Sequence, residues 1–143
     1  RLIGPVNQVE ATRVLRVWTV ERKSIEEQRD AVIRERARRL ALGFDYNFGD
    51  QRGVHRIGTT DADMIGWDEV TKYASALIAS GNTTAIISIV TNTGSAQVTA
   101  QEWQSILIAA GQFRQPIWQG SFVLQAMNPV PADYASNDAY WAG

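Results

Sequence analysis

The 143-residue sequence contains no cysteine, a single histidine and only four prolines. Without thiols it forms no disulfide and no thiolate metal site, which excludes the small disulfide-stapled scaffolds. A zinc centre would need carboxylates at every position not filled by His55. No apolar run approaches the roughly 18 residues of a membrane-crossing helix, and no signal-peptide pattern opens the chain. Phosphate-cradling glycine motifs (G-x-G-x-x-G, G-x-x-x-x-G-K-[ST]) are absent, as is the G-x-S-x-G elbow. The formal net charge is −1, so no global field favours nucleic acid or a membrane surface. These absences predict a protein that is not an enzyme and holds no cofactor or metal.

What is present suits one globular domain. Hydrophobic residues make up 45% and charged residues 20% of the chain, ordinary values for a folded protein. A chain of this length buries roughly 70% of its unfolded surface and needs no staple. Five tryptophans are several times the usual density. Arg1 stands where an initiator methionine would, so a processed or truncated piece is expected.

Three regions are predicted: an arm and strand over 1–23, an α+β body over 24–128 and a docking tail over 129–143. Residues Arg13–Val20 are β-branched and partly alternating. Val14, Arg16, Trp18 and Val20 share one face, Leu15, Val17 and Thr19 the other, so this strand must pair or be covered. Ser24 and Glu27 have capping-box spacing and predict a first helix from about Ile25 to Leu42, stopped by Gly43. Its apolar stripe is narrow, and Asp30/Arg34 and Glu35/Arg39 are spaced for ion pairs. It therefore lies outside or along a partner.

Two hairpins and two more helices complete the pattern. Phe44–Phe48 alternates aromatic and polar residues, turns at Gly49–Gly53 and returns through Val54–Ile57. Thr59, Thr60 or Asp61 caps a second helix, whose apolar positions include Met64, Trp67, Val70 and Leu77, and Gly81 ends it. Ile86–Val90 and Ala96–Val98 form a second hairpin. Thr99 and Glu102 form another capping box and open a third helix with apolar residues in heptad spacing from Trp103 to Met127. Pro116 should kink it. The fold class expected is thus α+β, with three main helices, two small β-hairpins and an N-terminal strand arm.

Candidate chemistry is sparse. His55 sits in a predicted strand without a nucleophile or partner, and a structural role outweighs a general base. Asp61 and Asp63 suit the helix N-terminus better than a cation. Asp45, Asp50, Asp68 and Glu69 are the only carboxylates offered to a glycan-cleaving pair. Arg34–Arg39 could meet phosphate, yet Glu21–Arg39 carries seven bases against five acids, as a solvated ion-paired helix does. The Trp103–Met127 heptad is either a core stripe or a self-associating seam. Trp67 and Trp103 belong to the core. The candidate partner-binding residues are Val14, Arg16, Trp18, Val20, Trp118, Tyr134, Tyr140 and Trp141, because exposed aromatics at a strand and a terminus make good docking anchors.

The order of features carries a family likeness. Trp18-Thr19-Val20 leads into the Arg/Ala-rich helix from Glu26 to Arg39, followed by Gly43–Asn47, Thr59–Met64, a hairpin, and Val98–Trp103. Over about Arg13 to Met127 the chain resembles an uncharacterised bacteriophage domain family, found in tail-fibre-like and other tail-associated proteins and often placed C-terminally. The resemblance implies a structural component of a tail tip, baseplate or fibre, located in the virion and assembled in the host cytoplasm. It implies contact with other phage tail proteins and a homo-oligomer such as a trimer. A host receptor or glycan would be a further partner. No catalytic residues come with it. The alternative is a nucleic-acid-binding regulatory or packaging protein that uses the Arg-rich first helix.

Overall fold

The side chains at three helix starts set the element boundaries. The computed structural model describes residues 23–143, so the predicted strand with Val14, Arg16, Trp18 and Val20 lies outside the described residues. Ser24 accepts a hydrogen bond from the Glu27 N–H at 3.1 Å and opens α1, Ile25–Leu40. Thr60 and Asp63 make a reciprocal capping box at the start of α2, Asp61–Ala79. Thr99 and Glu102 make another at the start of α3, Ala100–Ala126. Each box satisfies amide donors that the first helical turn leaves without partners.

Two antiparallel hairpins join the helices. Strands β1 (Phe44–Asn47) and β2 (Val54–Ile57) pair between α1 and α2, with Phe44 opposite Ile57. Strands β3 (Ile86–Thr91) and β4 (Gly94–Thr99) pair between α2 and α3, with Ile86 opposite Thr99. A short 3-10 turn, Asp138–Trp141, follows α3. The fold is α+β, and the described residues form three helices and two separate two-stranded sheets.

One boundary differs from the sequence expectation. α1 ends at Leu40, one half-turn before the predicted stop, because Thr59 captures the chain there. Its hydroxyl donates to the Leu40 carbonyl at 2.6 Å and accepts the Gly43 N–H at 3.0 Å. Gly43 follows with φ +75°, and a side chain at that position would collide with the Ile57 carbonyl. Pro116 lies inside α3 without ending it. A proline removes a single backbone hydrogen bond, and both halves of this helix are held by burial.

α3 joins two hydrophobic clusters. Its first half brings Trp103, Ile106 and Ala110 against Ile57, Trp67 and the inward row of the second hairpin, Ile87, Ile89 and Val98. Its second half brings Ile117 and Leu124 against Val32 and Leu40 of α1, Val130 and Trp141. Phe113 and Met127 are partly buried against the second cluster. The heptad stripe is therefore core within the chain, while Ile108, Phe122 and Val123 on the other faces of α3 stand exposed beside its polar residues.

The tail departs from its predicted role. The sequence casts 129–143 as an arm whose aromatics wait for a partner, but it folds back across α3. Trp141 is only 4% exposed. Space for it exists because α3 carries glycine at position 120, where a Cβ would strike the Tyr140 carbonyl and sit 3.1 Å from Trp141 Cα. Gly111, on the same helix, faces open space.

These two glycines give opposite expectations. Gly120→Ala displaces the tail and costs about 1–3 kcal/mol, as overpacking does. Gly111→Ala gains about 0.5–1 kcal/mol from helix propensity. Chemical denaturation of both variants, with limited proteolysis of the tail, checks the pair.

Candidate docking surface

The predicted aromatic anchors are assembled on one another rather than presented. The Trp141 indole N–H donates to the Tyr134 carbonyl at 2.8 Å, and the Arg39 guanidinium lies over its ring, 4.9 Å from the centroid. The Tyr140 hydroxyl donates to Asp133 at 3.0 Å, and that carboxylate raises the phenol's pKa. Tyr134 and Tyr140 are half-buried against the second cluster. Trp118 is half-buried beneath the Arg36 guanidinium, 4.2 Å from its centroid, and beside Phe122. Trp141 is thereby corrected as a free docking anchor, whereas Trp118, Tyr134 and Tyr140 keep part of their surface exposed. A cation held over an indole face is attracted by the ring quadrupole, and here the chain supplies both halves of each pair.

The same contacts account for the basic run on α1. Arg29 donates to the Gln125 carbonyl at 2.9 Å and Arg36 to the Ser121 hydroxyl at 3.2 Å. Arg39 reaches Glu35 at 2.8 Å, the Ala135 carbonyl and Asp138, both at 2.9 Å. Arg38 pairs with Glu35 at 2.6 Å and holds that carboxyl below its ordinary pKa. The predicted Glu35–Arg39 pair forms, whereas Asp30–Arg34 is not an ion pair among the described residues. Four of the arginines on this helix are thereby committed to its own fold.

His55, Asp45, Asp50 and Asp68 have structural partners too. His55 Nδ1 lies 2.8 Å from the Thr91 hydroxyl and links the two hairpins. The Thr91 hydroxyl donates to the Gly94 carbonyl at 2.6 Å, so the imidazole is the donor to Thr91. Asp45 pairs with Arg56 at 3.1 Å and Asp68 with Lys72 at 2.7 Å. Arg52 lies between Asp50 and Glu102, 2.6 Å from each, donates to the Gln97 carbonyl at 2.8 Å and stacks on Phe48. It ties the tip of the first hairpin to the capping box of α3. Its side-chain hydrogen bonds pull Asp50 down to about 2 and lower Glu102.

One surface feature is left unpaired. A groove of about 410 Å³ runs between α2 and β3, with Trp67 and Val70 on its floor and Asp63 and Glu69 as its charged groups. Gly66 widens the α2 wall, since no atom lies near where its Cβ would be. The opposite wall is the edge of β3. The two-residue turn Asn92–Thr93 makes Thr91 and Gly94 the closing pair, so odd-numbered residues of β3 bond to β4 and even-numbered ones face outward. Asn92 confirms the parity: its N–H donates away from β4, to the Arg56 carbonyl, at 2.8 Å. Beyond that single contact the main-chain groups of Val90 and Ser88 have no partner among the described residues. Beside them Ile86 and Val90 project into solvent, Val90 being 89% exposed.

Sequence reasoning passed over this groove. The apolar run Ile86–Val90 was legible as a strand, and its apolar residues on both faces were the available signal. Which edge stays open depends on where the chain turns away from β3 at Gly58, a tertiary property. No protein-family model, curated protein or solved structure matches the chain.

The Arg52 bridge makes a pH prediction. Asp50 and Glu102 have lowered folded-state pKa values, so their contribution is complete above the ordinary carboxylate range and is lost as pH falls. For Asp50 the loss runs from 3.8 down to about 2. Arg52→Met, which keeps a stem for Phe48, is expected to lower Tm at neutral pH and flatten its fall over that window. Thermal melts of both proteins between neutral pH and pH 2 measure it.

Proposed function

We propose that this chain is a structural, non-enzymatic component of a bacteriophage tail, at the tip, baseplate or fibre, that works through protein–protein contact. The observation that carries this reading is the ordered likeness over Arg13 to Met127 to a tail-associated phage domain family. Two features of the fold are in keeping with it. Aliphatic side chains stand exposed on several elements, including Ile65 at 75% and Ile108 at 64% exposure, and are available for contact with partner proteins. The histidine and Asp45, Asp50, Asp63 and Asp68 hold structural partners.

In this reading the chain resides in the virion and contacts other tail proteins, with a host receptor or glycan as a further partner. Nucleic-acid binding through α1 has less support. Its Arg29, Arg36, Arg38 and Arg39 are tied to Gln125, Ser121, Glu35 and the tail, and phosphate binding needs such groups free.

Locating the chain in intact particles tests the proposal. Gold-labelled antibody against it is expected to decorate the tail in electron micrographs. Virions lacking it, together with a purified chain that captures no tail protein, would overturn the reading. Titration with duplex DNA at two salt concentrations separates the alternative: a nucleic-acid binder shows a steep salt slope, and a tail protein is expected to show no binding at low micromolar concentration.

A further inference from the structure

We infer that the solvent face of α3 is a dimer interface: two copies of this chain pack their third helices antiparallel, crossed at Gln115, so that Ile108 of each lies against Phe122 of the other. This inference does not rest on the tail reading; it concerns how copies join, whatever they build.

α3 presents an outer face unlike that of α1. Nine of its residues are exposed and none is charged, whereas five of the seven exposed residues of α1 are charged. The two charged side chains of α3 lie off this face, half-buried: Glu102 is held by Arg52, and Arg114 points to the Leu40 carbonyl at 3.4 Å. From Gln101 to Ala126 the exposed positions recur at alternating steps of four and three residues, with Val123 beside the row. They form one straight seam along about 40 Å of helix. A solvated helix face ordinarily carries charge, and depletion of charge marks the centre of interfaces.

Three properties make this face complementary to itself. Having no charge, it meets a copy without like-charge repulsion. Gln112, Gln115 and Gln119 stand at its middle, and an amide side chain both donates and accepts. Glutamine therefore bonds to glutamine, as lysine cannot to lysine. The large apolar groups are placed symmetrically, since Ile108 and Phe122 lie seven residues either side of Gln115. A two-fold axis through Gln115 brings each onto the other, which is the condition for an isologous interface. A foreign partner would impose no such symmetry.

The anchor is positioned before association. Phe122 is exposed and braced by the Trp118 ring, 6.0 Å between centroids, and the Arg36 guanidinium in turn lies over Trp118. A ring fixed in this way loses little freedom on binding. Nine side chains a side, at a few tens of Å² each, cover on the order of 1,000 Å² in total, about the threshold of a specific contact. Glutamine fills half the positions of the seam, so the pairing is weaker than one lined by leucine. A dissociation constant in the micromolar range is expected.

The test uses the full chain, purified alone. Sedimentation over a concentration series is expected to show a monomer–dimer equilibrium. Because the sequence has no cysteine, a single introduced thiol reports the geometry. Gln115→Cys is expected to form a disulfide between copies on mild oxidation. Gln101→Cys is not: in an antiparallel pair those two positions stand about 42 Å apart, far beyond the roughly 7 Å a disulfide allows. Phe122→Glu and Ile108→Lys are each expected to weaken association about tenfold or more, by setting a charge against an apolar group. Combined in one chain they place an amine opposite a carboxylate at both ends of the contact, and association is expected to recover. Within one chain the two positions lie about 21 Å apart along α3, so recovery reads contact between copies even if one single variant folds poorly. A chain that stays monomeric at hundreds of micromolar would overturn the inference. So would cross-linking at Gln101 equal to that at Gln115, or a dimer that withstands both single substitutions.

Discussion

Among the described residues a single helix, α3, takes part in both hydrophobic cores, and the other elements gather around one half of it or the other. α3 is about 40 Å long at the usual helical rise. Its first half closes the box formed by α2 and the two hairpins, and its second half is sandwiched by α1 and the returning tail. The side chain Arg52 and the hydroxyl of Thr59 matter because they fasten elements to this spine: one ties the first hairpin to the start of α3, the other ties the end of α1 to the chain entering α2. Pro116 falls between Ala110, the last buried residue of one core, and Ile117, the first of the other. The lost backbone bond therefore sits where neither core depends on it most.

The charged helix α1 solves a problem set by its own composition. With three buried residues, Ala31, Val32 and Leu40, it has too narrow an apolar stripe to be held by burial alone. Arginines provide the rest. Arg36 and Arg39 cover the indoles of Trp118 and Trp141 with planar cations, and Arg29, Arg36 and Arg39 end on carbonyl or hydroxyl oxygens of α3 and the tail. Long basic side chains pack along their stems as well as bonding at their heads. The basic run thus works as an internal adhesive for a polar helix.

Helix starts were legible because their signal is local: a threonine or serine and an acid three residues on specify the first turn with no help from the rest of the chain. Hairpin registers followed from alternation between turn residues. The half-turn lost at the end of α1 was not legible, since Thr59 competes for Leu40 and Gly43 from 16 or more residues away. The tail was misread for a similar reason. Its sequence is polar, and only the pairing of Gly120 with Trp141, and of Arg39 with the indole, turns it inward. At the surface, the polarity of an edge strand says nothing about whether a neighbour lies against it, so the groove beside β3 emerged only from the fold.

The distribution of tryptophan has a spectroscopic consequence. Trp67 and Trp103 sit with ring centroids 4.9 Å apart, tilted by 53°, in one core. Indoles this close and inclined couple their transition dipoles, so that core carries its own circular-dichroism couplet. Trp118 and Trp141 lie in the other half, each beneath a guanidinium, where a nearby cation shifts and quenches emission. Among the described tryptophans, the two halves are optically distinct without any added label. With Trp18 replaced by phenylalanine, the order in which the two halves assemble around α3 can be followed by these signals.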